Sequence, residues 1–173
     1  MGRADNNGFR EPRAGLSFPL RWRAVPSFEY RHELSVHAPR EEAFAWWTDF
    51  TAEDHAGERT LHGTRSDLYR DGNSWTWTDE FVTMGFRTHW SWRVEVHPPQ
   101  WEKLHGETKL GVLDGIITFQ DEPKGTRVRE VGTFTPRSLG ILLMPLARKA
   151  FVRLLQADFK EHWADFRKEW DGE

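Results

Sequence analysis

Asp158 and His162 stand one helical turn apart in a stretch of chain that is otherwise apolar on that side. At about 100° per residue, Ala147, Phe151, Leu154, Leu155, Phe159 and Phe166 fall on one arc of a helix, and the carboxylate and imidazole fall in its middle. Spacing of i,i+4 lets such a pair hydrogen-bond, and burying either group alone is costly. A paired imidazole and carboxylate can hold a ligand hydroxyl or carbonyl, or move a proton near neutral pH. The plainer alternative is that the pair packs at an exposed end of the helix. Three more polar residues share parity with apolar neighbours on strands. His32 lies between Tyr30 and Leu34, Asp79 between Trp77 and Phe81, and Glu130 between Val128 and Phe134. Each has a structural alternative: a hydrogen-bonded core histidine, a bulge turning Asp79 outward, and an arginine partner for Glu130.

The elements that must carry these residues are legible from the hydrophobic period. Residues 28–37 alternate, with Phe28, Tyr30, His32, Leu34 and Val36 on one face and Glu29, Arg31, Glu33 and Ser35 on the other. Pro39 opens a short helix with Glu41 and Glu42 in its first turn, where the dipole favours negative charge, and with Phe44 and Trp47 as its stripe. Thr51 and Asp54 have the spacing of a capping box, which predicts a second short helix at about 52–57. Strands follow at 60–70, 73–83, 86–96, 101–108, 112–120 and 127–135. Asp71-Gly72, Gly85, Pro98-Pro99 and Pro123-Lys124-Gly125 mark turns between them. The period then changes to helical from about 138 to 170. Pro145 places the regular helix start near itself, with 138–144 as a loop or separate turn. The order predicts an α+β domain over 28–173: a seven-stranded curved antiparallel sheet around a long C-terminal helix, with a pocket beneath that helix. Residues 1–27 read as a flexible leader, with Phe18, Leu20 and Trp22 able to dock.

Composition narrows the function. The chain of 173 residues suits one domain. With 24 basic and 27 acidic residues there is no general electrostatic case for nucleic acid. Cysteine is absent, which removes disulfides and thiolate chemistry. No run of roughly 18 apolar residues exists to span a membrane, and no apolar signal segment opens the chain. A cytoplasmic location is the default expectation. Asp49, Asp54, His55 and His62 supply metal-ligand types but no ligand pattern, so no metal or cofactor is expected. Phosphate-cradling glycine motifs and a serine-nucleophile elbow are absent. Residues 139–147 are almost wholly apolar and are followed by Arg148, Lys149 and Arg153. That segment reads as the buried start of the long helix, or as a gate or weak membrane-surface contact.

The first strand running into Val36-His37-Ala38-Pro39-Arg40-Glu41-Glu42-Ala43-Phe44, the Gly125-Thr126-Arg127-Val128 start of the last strand, and the terminal helix resemble the helix-grip superfamily of START-like and birch-pollen-allergen-like domains. The similar branch is that of polyketide cyclases/dehydrases and lipid-transfer proteins. The resemblance runs from about residue 28 to the end. It implies an apolar ligand held between helix and sheet, and in some members a cyclisation or dehydration there. It implies no particular catalytic residue.

Three functions remain open from the sequence. One is binding of a lipid- or polyketide-like molecule. The second is a cyclase or dehydratase using the Asp158–His162 pair. The third is an interaction module with a filled core. For the first two, the expected walls are Trp75, Trp77, Phe81, Trp90, Trp92, Phe134, Phe151, Leu155 and Phe159. The expected polar contacts are His32, Asp79, Glu130, Asp158 and His162. A void under the helix smaller than about 100 Å³ favours the filled core.

Overall fold

A computed structural model describes residues 27–53, 63–83, 86–137 and 139–171. The elements are β1 (Phe28–Val36), α1 (Arg40–Trp47), β2 (Gly63–Asp71), β3 (Ser74–Thr83), β4 (Phe86–His97), β5 (Trp101–Thr108), β6 (Gly111–Glu122), β7 (Gly125–Pro136) and α2 (Leu139–Asp171). The seven strands form one antiparallel sheet in the order β1-β7-β6-β5-β4-β3-β2. Every neighbour except β1 is also a neighbour in sequence, as tight turns require; β1 closes onto β7. The sheet is curved, and α2 packs against it with Phe159, Trp163 and Phe166 buried.

Strand alternation sets the two faces. In β1 the odd–even pattern is nearly unbroken: Phe28, Tyr30, His32 and Val36 are buried, while Glu29, Arg31, Glu33 and Ser35 are exposed. In β7, Thr126, Val128, Glu130, Gly132 and Phe134 are buried on the same side. Pairing then aligns residues into rows across the sheet. One row runs Val96, Glu102, Ile117, Glu130, His32 through β4, β5, β6, β7 and β1. Another runs Val94, Leu104, Gly115, Gly132, Tyr30.

The apolar interior has two centres. One gathers Val36, Phe44, Val96, Phe119, Val128, Phe159, Trp163 and Phe166. Here Pro39 occupies the N-cap of α1, Glu41 and Glu42 sit in the first turn, and Phe44 is driven against Phe119. Trp47 stacks on Trp163 with centroids 5.2 Å apart and planes 4° from parallel. The other centre gathers Phe28, Tyr30, Phe81, Trp90, Leu113 and Phe134, with Ala147, Phe151 and Leu155 from α2.

Two expectations about α2 need correction. The helix starts at Leu139 and runs through Pro145. Proline deletes the bond to the carbonyl four residues earlier, but Ile141 is exposed, where water can serve that carbonyl. The segment is also not a buried helix start: Ile141, Leu142, Leu143 and Leu146 are all exposed. Among the described residues no helix is long and apolar enough to cross a membrane. The second short helix expected at 52–57 and the docking residues Phe18, Leu20 and Trp22 lie outside the described residues, wholly or in the main.

Candidate functional site: an acid-lined cavity beneath the long helix

Between the two apolar centres lies a cavity of about 160 Å³. Its apolar walls include Trp77, Phe81, Trp92, Leu113, Ile117, Leu155 and Phe159; its polar lining is Tyr30, Arg65, Asp79, Glu102, Glu130, Asp158 and His162. Asp158 and His162 do face inward from the same stretch of α2, and the His162 ring lies 5.6 Å from that of Trp47.

Each buried acid is held differently. Asp79 is 1% exposed and accepts from the Arg65 Nε at 3.1 Å and from the Trp77 indole N–H at 2.8 Å. The Arg65 guanidinium also lies 4.5 Å from the centroid of the Trp77 ring. This ion pair keeps a charge at the wall of the cavity without leaving it bare.

Glu130 accepts a hydrogen bond from the Tyr30 hydroxyl at 2.9 Å. Burial nevertheless pushes its pKa up to about 7, against the hydrogen bond, which pulls it down. The Tyr30 hydroxyl is itself raised well above its usual range, first by burial and then by the Glu130 charge. Gly132 makes this contact possible: it lies opposite Tyr30 in register, and a Cβ there would collide with the Tyr30 ring.

Glu102 is the third buried acid, at the floor of the cavity on β5. Its only hydrogen bond among the described residues comes from the Trp47 indole N–H at 2.7 Å. Burial raises its pKa to about 8; Trp47 lowers it and the Glu130 charge raises it further. Glu102 and Glu130 share one row with Ile117 between them, two strand spacings or about 10 Å apart at the backbone. Both Glu102 and Glu130 therefore keep their protons to higher pH than an ordinary carboxyl, Glu102 the more so. Burial raises both carboxyls in the same direction, Glu102 further than Glu130, so Glu102 is the better placed to keep a proton and donate it.

Of the residues expected from the sequence, Trp77, Asp79, Phe81, Trp92, Glu130, Leu155, Asp158, Phe159 and His162 line the cavity. His32, Trp90, Phe134 and Phe151 do not. His32 is 5% exposed and sits one place beyond Glu130 in its row, with its ring 5.6 Å from Phe159. Burial, then the nearby Lys160 charge, lowers its pKa. Trp90 stacks on Trp92 at 5.2 Å, and Phe134 meets Phe151 at 4.8 Å, behind the wall. Trp75 lines a separate open groove with Trp46, Arg70, Phe166 and Trp170. Trp92 reaches the cavity because Gly106, its register partner, has no Cβ to push the ring away. The lining residues with polar groups that sequence reasoning missed are Glu102, Arg65, Tyr30 and Trp47; among the apolar ones it missed Phe50, Val94, Leu104, Leu113 and Ile117. Glu102 had a signal: it shares parity with Leu104 and Gly106, opposite to Lys103 and Glu107. Of the loop cluster considered for metal, Asp54, His55 and His62 lie outside the described residues.

No protein-family model matches this sequence, and no curated protein matches it. Solved structures do match in shape. TTHA0849 from Thermus thermophilus superposes with a TM-score of 0.65 at 20% identity, over 79% of this chain and 92% of that one. The di-domain ARO/CYC StfQ from the steffimycin biosynthetic pathway gives 0.68 at 17% identity, over 86% of this chain. This chain spans about half of StfQ, 54% of its length. The Zhui aromatase/cyclase from Streptomyces sp. R1128 gives 0.62 at 12% identity, over 83% and 96% of the two chains. With the sheet order, the closing of β1 onto β7 and the long terminal helix, these matches show that the chain has the helix-grip fold.

Proposed function

We propose that this protein binds a small, mostly apolar molecule carrying a carbonyl or hydroxyl oxygen, lipid- or polyketide-like in character, in the cavity beneath α2. The observation that carries this reading is the presence of Glu102 and Glu130 together in an aromatic-walled void. A filled core gains nothing from burying two acids, whereas a neutral carboxyl can donate to a ligand oxygen. The void exceeds the roughly 100 Å³ below which a filled core is favoured. Its volume resembles that of an engineered apolar cavity of about 150 Å³ that takes up benzene, so it suits one ring or a short chain segment. In this reading Trp77, Phe81, Trp92, Leu155 and Phe159 grip the apolar body, and Glu102, Glu130, Asp158 and His162 meet the oxygen. Trp90, Phe134, Phe151 and His32 support the wall from behind. The aromatase/cyclase neighbours agree with an aromatic or polyketide-like ligand.

Calorimetric titration with acetophenone and with ethylbenzene, which differ mainly by a ketone oxygen, tests this. Acetophenone should bind about fivefold tighter, the worth of one net hydrogen bond. Equal affinities, or no binding of either, would falsify the oxygen-recognising site.

A second reading, a cyclase- or dehydratase-type enzyme, is favoured by the position of Glu130 near pKa 7 beside a more basic acid. In it a carboxylate removes the proton from the carbon next to a ligand ketone. The C–H bond breaks, a C=C bond forms, and the ketone oxygen takes a proton from the neutral acid, leaving an enol. Glu130 as base with Glu102 as acid is one pairing; His162 with Asp158 is the other. Deuterium exchange into bound acetylacetone, followed by NMR, distinguishes them. Loss of exchange in Glu130→Gln with binding retained assigns the first pairing, and loss in His162→Ala or Asp158→Asn assigns the second. Exchange at the solution rate in the wild type leaves a binding protein.

A further inference from the structure

The half of α2 that leaves the cavity presents an unusual outer surface. Leu142, Leu146, Lys149 and Arg153 are spaced by four, three and four residues, which places them on one stripe of the helix. All are exposed, Leu142 at 72% and Leu146 at 89%. Leu143 and Ile141, also exposed, flank the apolar end. The opposite side of the same helix carries Phe151 and Leu155 against the sheet. Four large apolar side chains clustered on the outside exceed the scatter of single exposed residues found on any surface.

The charges around them have one sign. From Leu139 to Ala157 the chain has no Asp or Glu. Neither Lys149 nor Arg153 has a carboxylate partner among the described residues, and Arg148 lies over the Phe28 ring, 5.2 Å from its centroid. The first turn of α2 holds no acid, so the positive end of its dipole adds to this field. Lys109 is exposed in the β5–β6 turn beside it. The Arg137 N–H donates to the Leu110 carbonyl at 2.8 Å and pins the helix start to that turn. Arg137 itself is engaged by Glu107 at 3.4 Å.

From this we infer that the Leu142–Leu146–Lys149–Arg153 stripe docks on an anionic lipid surface. Leucines at one end of a stripe and cations two turns further on match a helix lying in the interface, with apolar groups among the acyl chains and cations at the headgroups. A second copy of this chain fits less well, because a parallel two-fold pairing of the stripe would bring Lys149 and Arg153 of both copies together, and an antiparallel one would set these cations against the leucines with no carboxylate to meet them. The inference is independent of what the cavity holds.

Co-sedimentation of the whole protein with vesicles is the test, using phosphatidylcholine alone and an equal mixture of phosphatidylcholine and phosphatidylglycerol. Wild-type protein should partition into the mixed vesicles, weakly or not at all into phosphatidylcholine, and less as salt is raised. Lys149→Glu/Arg153→Glu should lower the mixed-vesicle partition coefficient by at least about twentyfold, near fivefold for each cation removed. Leu142→Glu/Leu146→Glu should lower it at least about tenfold. Both variants should keep the wild-type circular dichroism and melting temperature, because the replaced side chains are exposed. Three results would overturn the inference: no wild-type binding to mixed vesicles, binding that neither double variant reduces, or a wild-type dimer that Leu142→Glu/Leu146→Glu converts to monomer.

Discussion

The two apolar centres of this domain are built from the same residue types and end differently. Around Trp163 the interior is solid: Trp47 stacks on one side, Phe166 and Phe159 meet it edge-on, and Ala43, Val36 and Val128 fill the gaps. About one and a half to two helical turns earlier, around Asp158 and Leu155, the interior is hollow. The difference is not a shortage of aromatic groups, since Trp77, Phe81 and Trp92 stand there. It is that Asp79, Glu102 and Glu130 replace apolar residues on the floor. Aromatic surfaces close on one another when nothing between them needs solvation. Carboxyls resist that closure, because each keeps a demand for hydrogen bonds that packing against carbon cannot meet. Dense packing is thus concentrated at the Trp163 end, and the proposed recognition lies at the acid-lined end.

The sharpest way to break the contrast is to empty the solid end. Trp163→Ala should cost about 3–5 kcal/mol, read by denaturant unfolding, since the ring is fully buried. A cost under about 1 kcal/mol would mean the two ends are alike.

The acid-lined end should instead reveal itself through pH. Folded Glu102 and Glu130 hold protons at pH values where the unfolded chain, with carboxyls near 4.5, has released them. Stability from this source is therefore present at low pH and lost as pH rises toward about 8. His32, lowered from 6.5, acts in the opposite direction but is spent above that value. Between pH 6.5 and 8 the wild type should lose about 2 kcal/mol. Glu102→Gln should lose less than about 1 kcal/mol over the same range. Equal profiles for the two proteins would remove Glu102 from the account.

The smallest effect separates hollow from solid by volume. Leu155→Phe adds carbon beside the cavity and should change stability by less than about 1 kcal/mol while weakening acetophenone binding. Ala43→Leu adds carbon beside Phe44 in the solid end and should cost about 1–3 kcal/mol. Similar costs at the two positions would show that the void is not real space.

Much of this was legible along the chain. The alternation of residues 28–37, the turn at Asp71-Gly72 and the change of period after Pro136 gave the element order, because each is a local property of the backbone. Parity also put Asp79 and Glu130 on the inner face, and the helical arc put Asp158 and His162 there. Pro145 misled, because a proline inside a helix is costly on average and yet tolerated where water serves the freed carbonyl. Residues 139–147 misled in the other direction, since an apolar run does not say which surface it will meet. Glu102 escaped notice because β5 lies among charged residues, so its inner face is marked only by Leu104 and Gly106.

The order of residues along the chain is enough to say which of them share a face, because side-chain direction follows from the geometry of successive peptide units. Which of those residues become neighbours is settled by assembly. The register that sets Glu102 and Glu130 in one row, the glycines under Tyr30 and Trp92, and the reach of Trp47 to Glu102 all join segments far apart in the chain. The hollow itself is a difference between two large volumes, the space enclosed by sheet and helix and the side chains that fill it. No single segment encodes that difference, and so it exists only once the parts are assembled.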